Sequence, residues 1–142
     1  LEKMPYRFGT DFLPHDGGLS KFAELSPSTT TACWSTAASM GPEPVLAQMR
    51  AQLTNDVDTL KLIAADLSWV REPIKEITAD AELFAAYNIQ LEKIRIQAAG
   101  YCKAGPIRPP YNLMPDDLVA KVHEHARRWA TLRDKYRGAG AP

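Results

Sequence analysis

Two neighbouring stretches, Tyr87-Asn88-Ile89-Gln90-Leu91-Glu92-Lys93 and Lys103-Ala104-Gly105-Pro106-Ile107-Arg108-Pro109-Pro110-Tyr111-Asn112, decide how this chain is read. The first has no helix breaker and spaces its apolar residues for a helix. The second carries Pro106, Pro109 and Pro110 and must be extended, because proline removes a donor and biases the preceding residue away from helical backbone. A defined turn therefore separates them. Upstream and downstream of the first stretch, Leu83, Tyr87, Leu91, Ile94, Ala98 and Tyr101 share one face. The spacing predicts a helix from about Ala79 to Gly100, with Thr78 as its N-cap and Gly100 or Gly105 at its exit. Beyond the proline segment, Pro115 opens a last helix with Asp116 and Asp117 behind it. Its stripe is Leu118, Val122, Ala126, Trp129, Leu132 and Tyr136, and its cations gather toward the C-terminal end, where the helix dipole favours them.

Toward the N-terminus, Leu60, Ile63, Leu67 and Val70 recur at three- and four-residue steps, with Asn55 or Asp56 as the cap and Pro73 as the break. Trp69 and Trp129 fit helix stripes and are expected in the core. Gly41-Pro42-Glu43-Pro44 opens a further helix that points Val45, Leu46 and Met49 inward and ends near Thr54-Asn55. Arg7–Leu13 and Thr29–Ser35 have strand composition, and Leu19–Leu25 forms a short helix between them. Two strands joined by a helix pair in parallel. Such a pair has two bare edges and too little surface for its helices. The fold class is therefore α/β, the last two strand–helix units of a (β/α)8 barrel plus three C-terminal helices, so the chain is mostly helical. Residues 1–54 hold the barrel units and residues 55–142 a C-terminal helical extension.

The 142 residues suit one domain, and 45% apolar with 24% charged content suits a soluble globular protein. Seventeen basic residues balance 17 acidic ones, which argues against a nucleic-acid partner, since that needs a net basic face. No apolar run approaches the ~18 residues of a membrane span, and Leu1-Glu2-Lys3-Met4-Pro5 is no signal peptide. An initial Leu with no Met ahead of it suggests a clipped or partly represented chain. Cys33 and Cys102 match no metal spacing and read as reduced, mostly buried thiols of a cytoplasmic protein. His123 and His125 are two apart on a helix and face different ways, so they cannot share a metal. Pro106-Ile107-Arg108-Pro109 has the spacing of a PxxP ligand but reads as a packed connector.

Six segments in order resemble one enzyme family. They are Phe12-Leu13-Pro14-His15, Trp34-Ser35, Tyr87-Asn88-Ile89 with Leu91-Glu92-Lys93, Ala98-Ala99-Gly100, Lys103-Ala104-Gly105-Pro106, and Arg108-Pro109-Pro110-Tyr111-Asn112-Leu113. The chain resembles the C-terminal half of the pyruvate-dependent hydratase-aldolases, within the dihydrodipicolinate synthase and N-acetylneuraminate lyase superfamily. The resemblance implies a class I aldolase that hydrates and cleaves aryl-ylidenepyruvates to an aromatic aldehyde and pyruvate during aromatic hydrocarbon catabolism. It implies a Schiff-base lysine and a proton-shuttling tyrosine upstream of residue 1, and so no catalytic residue within this chain, which is expected to be inactive alone. No metal and no cofactor is implied, because the imine does the activation. A homo-oligomer, a tetramer by analogy, is expected. Trp34 is expected to line the aryl pocket and Asn88 to approach the substrate. His15 and Asp16, at the end of the first strand, stand where they can assist hydration or bind a substituent, or simply cap the next helix. The alternatives are a dihydrodipicolinate synthase-like or sialic acid lyase-like aldolase and, from another class, a non-catalytic helical interaction domain.

Overall fold

A computed structural model of the chain describes residues 14–26, 28 and 30–138. Six α-helices are described: α1 (Leu19–Leu25), α2 (Glu43–Leu53), α3 (Val57–Arg71), α4 (Lys75–Ala79), α5 (Ala81–Ala99) and α6 (Asp116–Lys135). Short 3-10 turns at Asp16–Gly18, Ala37–Met40 and Glu72–Ile74 lead into α1, α2 and α4. Pro73 lies in the last of these. It ends α3 at Arg71, but the chain resumes as α4, a helix the sequence pattern did not separate.

Helices α3 and α5 each begin at an aspartate that satisfies orphan amides. Asp56 caps α3 by accepting from Thr59 N at 3.0 Å. Asp80, and not Thr78, caps α5, accepting from Glu82 N at 2.9 Å and Leu83 N at 3.0 Å. Thr78 instead donates back to Ile74 O at 3.1 Å, which places it inside α4. Gly100 closes α5 in the left-handed region at φ 70°, where a Cβ would be strained. Lys103 to Arg108 is free of helix, as the prolines require.

The core lies where α3, α5 and α6 meet. Ile63, Leu67, Val70, Ala99, Ala126, Trp129 and Leu132 pack with Ala37, Met40 and Ala47. Trp129 is fully buried and donates Nε1–H to Gly41 O at 3.1 Å. Gly41 has φ 121°, and a Cβ there would stand 2.2 Å from Arg133 Cδ, so this position needs glycine on both counts. A second cluster of Ile74, Ile77, Leu91, Leu118 and Val122 joins α4, α5 and α6. The stripes expected of α3 and α6 are buried here, apart from a half-buried Tyr136.

Four expectations are corrected. The inner face of α2 is Pro44, Ala47, Gln48, Ala51 and Gln52, while Leu46 is exposed and Val45 and Met49 are half-buried. The glutamines win because loop carbonyls need donors: Gln48 Nε2 donates to Asp16 O at 2.9 Å and Gln52 Nε2 to Thr30 O at 3.1 Å. Trp69 is exposed, its ring lying 5.1 Å beneath the Arg128 guanidinium in a cation–π contact. Cys102 is exposed and Cys33 half-buried, both free thiols. No continuous strand occurs among the described residues. What stands there is a parallel bridge between His15 and Trp34, with Asp16 N donating to Trp34 O at 2.9 Å and Trp34 N to Pro14 O at 3.0 Å. The bridge has the parallel sense expected of the two segments, and Arg7–Leu13 lies outside the described residues.

Candidate active site

The His15–Trp34 bridge brings three of the four expected site residues together. The Trp34 ring is half-exposed and meets the His15 imidazole edge-on, with centroids 4.5 Å apart. His15 also caps the Asp16–Gly18 turn, its Nδ1 accepting from Gly17 N at 3.1 Å. The same nitrogen, already accepting from Gly17, lies 2.7 Å from Asp16 Oδ1.

Asp16 is fully buried, and its carboxylate is anchored by Arg71 from α3, with Nη2 donating to Oδ2 at 3.0 Å. A buried carboxylate needs such a partner, because its desolvation is otherwise prohibitive. A Cβ on Gly17 would come within 2.6 Å of Arg71 Nη1, so glycine there lets the guanidinium reach the turn. Burial, with nearby Asp16 adding to it, pushes the Cys33 thiol up to about 11. It is therefore a neutral, weakly reactive thiol beside the tryptophan.

Asn88 sits elsewhere. It is half-buried on α5 and lines an open cleft of about 540 Å³ with Ser39, Ile89, Glu92, Lys93 and Cys102. Lys93 Nζ is engaged, donating to Ala104 O at 2.7 Å, and thereby ties the proline segment to the cleft wall. The Asn88 helix is joined to the Trp34 segment through an ion pair. Arg95 is 6% exposed and grips the Glu92 carboxylate with Nε at 3.1 Å and Nη2 at 2.6 and 2.7 Å. Its Nη2 also donates to Thr36 Oγ1 at 2.7 Å, two residues beyond Trp34. Sequence reasoning passed over Arg71, Glu92, Arg95 and Thr36. Arg95 carried a usable signal, a charge next to Ile94 and Ile96 on a helix whose neighbouring faces are both apolar.

No protein-family model matches the chain. It is 39% identical over 129 residues to a trans-O-hydroxybenzylidenepyruvate hydratase-aldolase of Pseudomonas aeruginosa, covering 88% of this chain and 38% of that protein. It is 36% identical over 113 residues to a trans-2'-carboxybenzalpyruvate hydratase-aldolase of Nocardioides sp. (strain KP7), covering 80% of this chain and 34% of that one. Over these residues the chain is similar to hydratase-aldolases. A solved structure described as PhdJ bound to substrate intermediate superposes with a TM-score of 0.80 at 31% identity, over 87% of this chain and 38% of that one. The backbone arrangement of that structure is thus kept over the matched part of the chain. The chain spans about two fifths of the length of the curated relatives it matches, 38% for the Pseudomonas aeruginosa enzyme.

Proposed function

We propose that this chain is the C-terminal portion of a hydratase-aldolase that adds water to aryl-ylidenepyruvates and cleaves the product to an aromatic aldehyde and pyruvate. The observation that carries this reading is the half-exposed Trp34 indole, fixed by the bridge to His15, in a chain whose relatives are named for arylidene substrates. An exposed indole held rigidly at a strand terminus offers a flat face to an aryl ring. The bridge is read as the end of the last two parallel strands of a (β/α)8 barrel, where substrate sites form in that fold.

The nucleophile is supplied by a lysine outside these 142 residues. That amine condenses with the substrate keto group, releasing water, and the protonated imine withdraws electrons from the conjugated double bond. Water then adds at the carbon bearing the aryl ring, and the enamine so formed takes up a proton on the adjoining carbon, which restores the protonated imine. Loss of the hydroxyl proton breaks the adjoining carbon–carbon bond, releases the aldehyde and leaves an enamine, which is protonated and hydrolysed to pyruvate. In this reading Trp34 stacks on the aryl ring and Asn88 hydrogen-bonds substrate oxygen or the attacking water. His15, oriented by the Arg71-anchored Asp16, stands at the ring's edge, where it exchanges a proton with water. The same resemblance points to a cytoplasmic homo-oligomer.

Trp34→Ala in the complete enzyme tests the reading. It should lower kcat/KM for aryl-ylidenepyruvates about tenfold or more, since lost stacking alone is worth roughly 0.5–1.5 kcal/mol and lost burial adds to it. Imine formation with pyruvate alone should be unaffected. Equal losses on both, or on neither, would contradict an aryl-contacting role.

A further inference from the structure

One part-buried ion pair joins the two segments that carry the proposed substrate contacts, and it has no place in the chemistry above. Glu92 lies one helical turn beyond Asn88 and lines the same cleft. Arg95 holds both Glu92 oxygens and, with Nη2, the Thr36 hydroxyl at 2.7 Å. Thr36 stands two residues beyond Trp34 and directly before the Ala37–Met40 turn, whose Ser39 forms the opposite wall of the cleft. A charged group that is 6% exposed is held in place only by its partners, so its geometry is set by them, and theirs by it. The planar fork of arginine fixes direction as well as distance, which lysine cannot copy.

We propose that Arg95 is a positioning residue that sets the separation between Trp34 and Asn88, and with it the fit of the aryl end of the substrate. This rests on the reading of Trp34 and Asn88 given above. Glu92 fixes the guanidinium relative to Asn88, and Thr36 fixes it relative to Trp34. Breaking the Thr36 arm leaves the Glu92 pair intact and frees only the spacing between the two contacts.

The test uses Thr36→Val, Thr36→Ser, Arg95→Met and Arg95→Lys in the complete enzyme, with steady-state kinetics on an aryl-ylidenepyruvate and borohydride trapping with pyruvate alone. Thr36→Val should raise KM for the aryl substrate about tenfold, the worth of one hydrogen bond to a charged group, while pyruvate trapping stays within about twofold. Thr36→Ser should restore the wild-type KM, and Arg95→Lys should rescue only part of the Arg95→Met loss. The Thr36→Val/Arg95→Met double variant should be no worse than Arg95→Met, because both break one bond. Additive losses, an unchanged KM in Thr36→Val, or parallel losses in pyruvate trapping would overturn the positioning role. If Trp34→Ala and Asn88→Ala, run beside them, also leave KM unchanged, the substrate reading itself fails and takes this proposal with it.

Discussion

The imidazole of His125 is buried against α3, with Nδ1 2.8 Å from Val70 O and Nε2 without a partner. Burial is the main reason its pKa falls from 6.5 to about 4. The contact to the Val70 carbonyl opposes that fall, and Arg95, Arg71 and Arg128 reinforce it. The neutral ring is therefore the one the fold accepts. Because the folded value lies below the unfolded one, the stabilising contribution is complete above pH 6.5 and is lost as pH falls toward 4. The loss amounts to about 3 kcal/mol at the acid end. Denaturant melts between pH 7 and 4 should show it, and His125→Asn, which does not titrate, should flatten that part of the curve. The sequence already separated His125 from His123, since the two face different ways. Sequence spacing did not report burial deep enough to silence the ring, because that depends on where α3 lies across the helix.

Helix boundaries were legible wherever one apolar stripe dominated, as in α3 and α6. They were misread where a polar group did structural work. Thr78 looks like a cap by residue type, but Pro73 lets a short helix restart at Lys75, and Thr78 becomes its interior, bonded back to Ile74 O at 3.1 Å. Asp80 takes the capping role with bonds of 2.9 and 3.0 Å. Asp80→Ala should therefore cost about 1 kcal/mol in chemical denaturation, while Thr78→Ala should cost little. The opposite ranking would restore the cap predicted from sequence. The inner face of α2 shows the same limitation. Leu46 and Met49 outrank Gln48 and Gln52 on any hydrophobic count, yet the two amides go inward to carbonyls of residues 32 and 22 positions away. Such long-range partners leave no periodic trace in a sequence.

At the scale of the molecule, the expected strands left the faintest mark. The described residues form helices beside the parallel bridge of His15 and Trp34, and the first β-rich segment, Arg7–Leu13, lies outside them. Of the expected site, His15, Asp16 and Trp34 come together because the bridge places them together. Asn88 lies in a neighbouring cleft and is tied to them through Glu92, Arg95 and Thr36. Residue type and family resemblance are what put these four side chains forward as a site. The clasp between them depends on how α5 lies across the segment after Trp34, a geometry that sequence does not spell. The central claim is that these residues serve an imine-forming aldolase whose lysine lies elsewhere. The direct measurement is borohydride trapping of the complete enzyme during turnover of an aryl-ylidenepyruvate, followed by peptide mapping. The account predicts one reduced adduct on a lysine outside residues 1–142. An adduct on any lysine within them, or none at all, would contradict it.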